Sequence, residues 1–162
     1  MALTEVDVQR LDRCVELARL ALRDGHEPFG AILVGGADGG TLYEDHNRCG
    51  DGDPTAHPEF TIAQWAAANL APVHRIRATV YTSGEHCPMC AAAHAWVGLG
   101  RIVYATSAAQ LRDWRTEWGV PAPPVAPLPI TTVVPRAVVD GPAPDLAEAM
   151  KALYAAKYRP SQ

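Results

Sequence analysis

Ala78-Thr79-Val80-Tyr81-Thr82-Ser83-Gly84-Glu85-His86-Cys87-Pro88-Met89-Cys90 is the stretch on which the fold turns. Residues 78–82 are short, β-branched and aromatic in character, as a strand requires. Pro88 then suits the first position of a helix, where its missing N–H is no loss. That helix runs to 97, Gly98 and Gly100 end it, and 101–105 returns as a strand. Upstream, 57–70 carries Phe60, Ile62, Ala63, Ala66, Ala67 and Leu70 at helical spacing, with Pro58 again at the first position. A polar loop at 49–55 precedes it. Residues 29–35 and 41–47 read as an antiparallel hairpin around the Gly-rich turn 35–40. A first helix starts at Thr4, with Asp7 three residues on as a short capping-box acid. It carries Leu11, Val15, Ala18 and Leu22 on one face and stops at Asp24-Gly25.

Downstream, 108–118 is expected to be helical, and 120–129 holds five prolines as a stiff surface connection. Residues 131–134 are expected to form an edge strand, and 143–158 a closing helix. Alternating strands and helices imply one sheet covered on both faces. The expectation is an α/β protein: a three-layer α/β/α arrangement with a five-stranded mixed sheet, in one domain over 1–162.

The chain has 162 residues and a net charge of −4, with no run of basic residues. That balance argues against a nucleic-acid binder, which needs a basic footprint. No basic and apolar leader opens the chain, and no apolar stretch reaches the length of a membrane span. The expected location is the cytoplasm. Four cysteines in such a compartment point to metal or catalysis before disulfides. Cys14 is expected on a helix face and Cys49 in a loop.

His57-Pro58-Glu59 and Cys87-Pro88-Met89-Cys90 each stand just after a loop, at the start of an expected helix. The positive end of a helix favours thiolate over thiol. Two cysteines three apart reach one ion, and a histidine from a second helix start completes three ligands. The fourth tetrahedral position stays open, as in a catalytic zinc site. An ion so held acidifies a water, and Glu59 stands where it can carry the proton. A redox dithiol explains Cys87 and Cys90 but leaves the His-x-Glu half without a purpose. The two half-motifs together are the signature of zinc deaminases.

On these motifs, with Pro28-Phe29-Gly30-Ala31, Asn47 and Asp53-Pro54-Thr55-Ala56 in order around them, the chain resembles the cytidine/deoxycytidylate deaminase superfamily. Within it, the likeness is to the branch of guanine deaminases and tRNA adenosine deaminases. The resemblance implies the cytidine deaminase-like fold and a zinc ion, one per subunit, on His57, Cys87 and Cys90. It implies Glu59 as the catalytic proton shuttle. Asn47 matches a residue that hydrogen-bonds the substrate ring, Phe29 an aromatic packed on it, and Ala31 a backbone contact. Trp96 matches a tryptophan lining the pocket. Glu117, or Asp113 beside it, matches a carboxylate that contacts the base, and Tyr154 and Tyr158 match residues capping the pocket. A homodimer is implied as well.

The chain departs from its relatives in having Pro58 for alanine, and Gly84-Glu85-His86 where they have Cys-Glu-Pro. Gly84 is expected to relax the loop, His86 to lie at the surface, and His94 to pack behind the ligands. The expected function is hydrolytic deamination of guanine or a related purine or triazine. The alternatives are tRNA adenosine, cytosine or cytidine as substrate, or an inactive zinc-binding regulatory protein.

Overall fold

The computed structural model describes residues 2–36 and 39–159, so the turn expected at 35–40 lies partly outside the described residues. The elements in order are α1 (Glu5–Arg23), β1 (Gly30–Val34), β2 (Thr41–His46), a 3-10 turn (Cys49–Asp51), α2 (Pro58–Asn69) and α3 (Pro72–Arg75). They continue with β3 (Thr79–Gly84), α4 (Pro88–Val97), β4 (Arg101–Thr106), α5 (Ala108–Glu117), α6 (Ile130–Val133), β5 (Val139–Asp140) and α7 (Pro144–Tyr158). The sheet runs β2-β1-β3-β4-β5. β1 is antiparallel to β2 and to β3, whereas β3, β4 and β5 are parallel, so the sheet is mixed as expected.

All five residues of β1 are buried, because side chains alternate between two covered faces. Ile32 and Val34 join Leu11, Val15, Tyr81, Val103, Met150 and Tyr154 on the face covered by α1 and α7. Ala31 and Leu33 join Ile62, Ala63, Ala66 and Val80 on the face covered by α2. Each fully buried Leu, Ile or Val contributes about 1.5–3 kcal/mol, so both layers are needed to hold the sheet. α1 starts with the expected capping box: Thr4 Oγ1 accepts from the Asp7 N–H, and the Asp7 carboxylate accepts from the Thr4 N–H.

The last strand differs from expectation. Residues 131–134 do not form an edge strand; α6 takes Ile130–Val133, Val134 is its C-cap, and β5 is Val139–Asp140. Burial outweighs the β propensity of Ile-Thr-Thr-Val there. Ile130 is fully buried against Ala91 and Ile102, and its N–H donates to Glu85 Oε1 at 2.8 Å, which suits a helix start. β5 is held instead by Arg101, whose Nε donates to Asp140 Oδ2 at 2.7 Å. No helix among the described residues is long and apolar enough to cross a membrane.

Candidate functional site

β1 runs antiparallel beside β3, pairing Ala31 with Thr82, so the start of β1 and the end of β3 meet at one end of the central strands. α2 and α4 both begin at that end. His57 is the N-cap of α2 and Cys87 the N-cap of α4, each followed by proline at the first helical position. Proline fixes φ there and removes an N–H that would otherwise need a partner.

His57 Nδ1 lies 3.6 Å from Cys87 Sγ and 3.6 Å from Cys90 Sγ, and the two sulfurs are 3.6 Å apart. A tetrahedral ion with bonds of about 2.0–2.3 Å to N and S places its ligands at about this spacing. The sulfurs are too far apart for a disulfide. One imidazole and two thiols around one point is the donor chemistry that zinc takes. The group also polarises itself. Cys87 is pulled down to about 4 by the thiol of Cys90 and by His57, and His57 is pushed up to about 9 by Cys87. Cys90, deeply buried, is pushed up by Cys87 and by its own burial.

Glu59, in the first turn of α2, is 5% exposed, and burial pushes its carboxyl up. Its Oε1 is 2.6 Å from Thr82 Oγ1 and its Oε2 is 4.0 Å from Cys90 Sγ, so it faces the ligand group. Thr82 Oγ1 is also 2.9 Å from the Gly84 carbonyl oxygen.

Asn47 is fully buried, and its amide braces the next turn: Oδ1 accepts from the Cys49 N–H at 2.9 Å and Nδ2 lies 3.2 Å from Cys49 Sγ. The Asn47 N–H donates to the Phe29 carbonyl at 2.9 Å, joining the two expected contacts. Ala31 is buried inside β1 between Asp45 and Thr82. The Phe29 ring centroid is 5.4 Å from that of Tyr154, which is fully buried behind it with its hydroxyl 3.1 Å from Thr106 Oγ1. Tyr154 is therefore a buttress to Phe29, not a cap. Tyr158 stacks 6.3 Å from Tyr154.

Trp96 and Glu117 are not brought to this cluster. Trp96 is 90% exposed and lines a surface groove with Ala92, Ala95, Val133 and Arg136. It stands nine residues along α4 from Cys87, about 13 Å of helix. Glu117 is exposed at the end of α5 and pairs with Lys151 at 3.3 Å, and Asp113 pairs with Arg112 at 2.8 Å.

His86 corrects the expectation of a surface residue. It is 1% exposed, with its ring edge-on to His94 at 5.4 Å. Burial, then His94, holds it neutral. His94 packs behind the ligands as expected, its Nε2 2.9 Å from the Gly100 carbonyl oxygen. Gly84 does not loosen the loop. A Cβ there would come within 2.8 Å of the Tyr154 hydroxyl and 2.9 Å of the Phe29 ring, so the glycine makes room for both.

Sequence reasoning missed three residues. Thr82 carried no distinct signal, since Thr79 and Ser83 are polar in the same strand. Glu85 accepts from the N–H groups of Ala108 and Ile130, both at 2.8 Å, and so ties the starts of α5 and α6 to the ligand loop. Glu27 left no local signal; only the fold brings it near His57.

Residues 4–106 match the family described as the cytidine and deoxycytidylate deaminase zinc-binding region. The chain belongs to this family. It is 31% identical over 105 residues to a probable cytosine deaminase of Schizosaccharomyces pombe, covering 65% of this chain and 63% of the relative. It is 37% identical over 97 residues to a guanine deaminase of Bacillus subtilis, covering 59% and 61%. It is 31% identical over 112 residues to a tRNA-specific adenosine deaminase of Haemophilus influenzae, covering 64% and 60%. The chain thus spans about three fifths of the length of each of these curated relatives. Among solved structures, a guanine deaminase from Nitrosomonas europaea shares the fold, with a TM-score of 0.68 at 24% identity over 96% of this chain and 87% of the other.

Proposed function

We propose that the chain is a zinc-dependent hydrolytic deaminase of a free nucleobase-like ring, guanine or a related purine or triazine. The observation that carries this reading is a buried carboxyl, Glu59, aimed at an open His57-Cys87-Cys90 group. Zinc bound there supplies the Lewis acidity that makes water a nucleophile near neutral pH. Glu59 takes a first proton from the attacking water and delivers it to the neighbouring ring nitrogen, then takes the second proton from the hydroxyl now on the ring carbon and passes it to the departing amine. The ring loses NH₃ and gains a carbonyl oxygen. Thr82 fixes Oε1 during these transfers, and the Phe29 ring, backed by Tyr154, packs on the substrate face.

The guanine deaminase relative supports a small ring. A tRNA substrate asks for several free cations. Near the C-terminus, Lys151 is paired to Glu117 and Lys157 donates to the Gly25 carbonyl. An inactive zinc protein has no use for a carboxyl at Glu59. We read the protein as a single-domain, cytoplasmic homodimer, with the exposed Trp96 groove on the face that pairs; a monomeric mass by light scattering would remove the dimer.

The test is zinc content together with ammonia release from guanine, adenine, cytosine, their nucleosides and ammeline. Guanine or a close relative is expected to be the best substrate. Glu59→Ala should keep zinc and lose about 10²–10⁴ in turnover. Sustained ammonia release by that variant, or preference for tRNA over free bases, would overturn the reading.

A further inference from the structure

Glu27 stands in the segment between α1 and β1, at the rim of the ligand group. Its carboxylate, Cys49 Sγ and a ring nitrogen of His57 all lie within 4.8 Å of one another. The segment is pinned on both sides of it. His26 Nδ1 accepts from the Gly50 N–H at 3.1 Å, Lys157 Nζ donates to the Gly25 carbonyl at 2.7 Å, and the Phe29 N–H donates to the Glu27 carbonyl at 2.8 Å. The backbone that carries Glu27 is thus fixed, with the carboxylate near Cys49 and His57.

Among the described residues, no Lys, Arg or His forms an ion pair with Glu27. Arg115 lies 4.8 Å over the Tyr158 ring but donates to the Pro121 carbonyl. The Tyr158 phenol is pushed up by burial and then by the charge of Glu27. The charge of Glu27 is felt at Cys49, His57 and Tyr154 as well. The other acceptors are committed elsewhere: Asn47 Oδ1 to the Cys49 N–H, Glu117 to Lys151, Asp113 to Arg112. A second metal ion on Glu27, Cys49 and His57 would have to share His57 with the first group. A half-buried carboxylate without a cation is left to attract N–H donors, and charge-assisted hydrogen bonds of this kind are strong.

We propose that Glu27 is a specificity-determining residue, accepting from the ring N–H donor next to the amino-bearing carbon. It favours rings such as guanine over rings that present only acceptors on that edge. The assignment rests on the deaminase reading above. A site built to accept from an N–H rejects analogues that lack it, because its polar group is then left unpaired.

The test compares guanine with 2-aminopurine, which carries its amino group on the same carbon but has a bare nitrogen beside it. Steady-state kcat and KM are measured for the wild type and for Glu27→Gln, together with zinc per chain. The Gln side chain keeps the shape, loses the charge and offers an N–H of its own. The preference for guanine should fall at least tenfold, mainly through KM, with one zinc per chain retained. Glu27→Ala should lose guanine binding to a similar degree without improving 2-aminopurine. An unchanged preference in both variants overturns the assignment alone, as does loss of zinc from Glu27→Gln. A wild-type protein that releases ammonia from neither ring overturns the guanine-like substrate reading and this assignment with it.

Discussion

Thr82 is fully buried, and its one hydroxyl hydrogen lies between two acceptors, Glu59 Oε1 at 2.6 Å and the Gly84 carbonyl at 2.9 Å. With Glu59 ionised, the hydroxyl serves one acceptor and leaves the other. With Glu59 protonated, the carboxyl donates to Thr82 and Thr82 donates to Gly84. The hydroxyl therefore follows the proton while the carboxyl stays in place. Thr82→Val keeps the shape and removes this partner. It should lower kcat about ten- to hundredfold, the worth of one hydrogen bond to a charged group, with KM within about twofold and zinc unchanged. Wild-type ammonia release by Thr82→Val would show that Glu59 needs no such support. The ligands and Glu59 were legible in the sequence because their chemistry is written in short spacings. Thr82 and Glu27 were not, because their roles depend on which strand face or loop the fold brings near. Trp96 and Glu117 were placed by analogy, and the directions of α4 and α5 carry them elsewhere.

At the scale of elements, helix starts bear most of the weight. Glu85 accepts from backbone N–H groups at the first turns of both α5 and α6. These groups have no intrahelical partner, so losing the carboxylate leaves two donors unsatisfied. Glu85→Ala should cost about 2–3 kcal/mol in urea unfolding, because each orphaned donor carries a desolvation penalty. Zinc per chain should be unchanged, since Glu85 is outside the donor group. A midpoint equal to wild type would mean that water replaces the strut at no cost. Most elements were legible because their periodicity and proline or glycine boundaries agree. The exception, 131–134, shows the limit. Its β-branched residues read as a strand, and the burial of Ile130 and the Glu85 contact make it a helical turn.

Across the whole molecule, Asp7 and Arg101 join residues 94 positions apart. Arg101 Nη1 donates to Asp7 Oδ1 at 2.7 Å, Nη2 to Oδ2 at 3.2 Å, and the Tyr81 hydroxyl donates to Oδ1 at 2.9 Å. Burial alone would push the Asp7 carboxyl up, but the bonds from Arg101, Thr4 and Tyr81 outweigh it and hold Asp7 well below the usual range. A carboxyl depressed in the native state stabilises the fold above its unfolded value, about 3.9, and that contribution is lost as pH falls through the native value. Asp7→Asn should cost about 3 kcal/mol at pH 7, as expected for breaking a buried pair. The gap to wild type should narrow between about pH 4 and pH 2, followed by urea unfolding at each pH. A gap independent of pH would exclude the ion pair as its source. The layered α/β plan was legible from alternation, but this tie was not, since nothing near Asp7 announces a partner so far along the chain.

The family boundary also runs between the donor group and part of what backs the site. The zinc donors and Glu59 stand at the starts of α2 and α4, inside the segment that matches the family. Tyr154, which packs against Phe29, and Tyr158, stacked on Tyr154, come from α7 beyond that segment. Drift or directed evolution confined to α7 would alter the backing of Phe29 and leave the donor group and Glu59 untouched. Descendants of one ancestor can diverge in diet while keeping the same teeth.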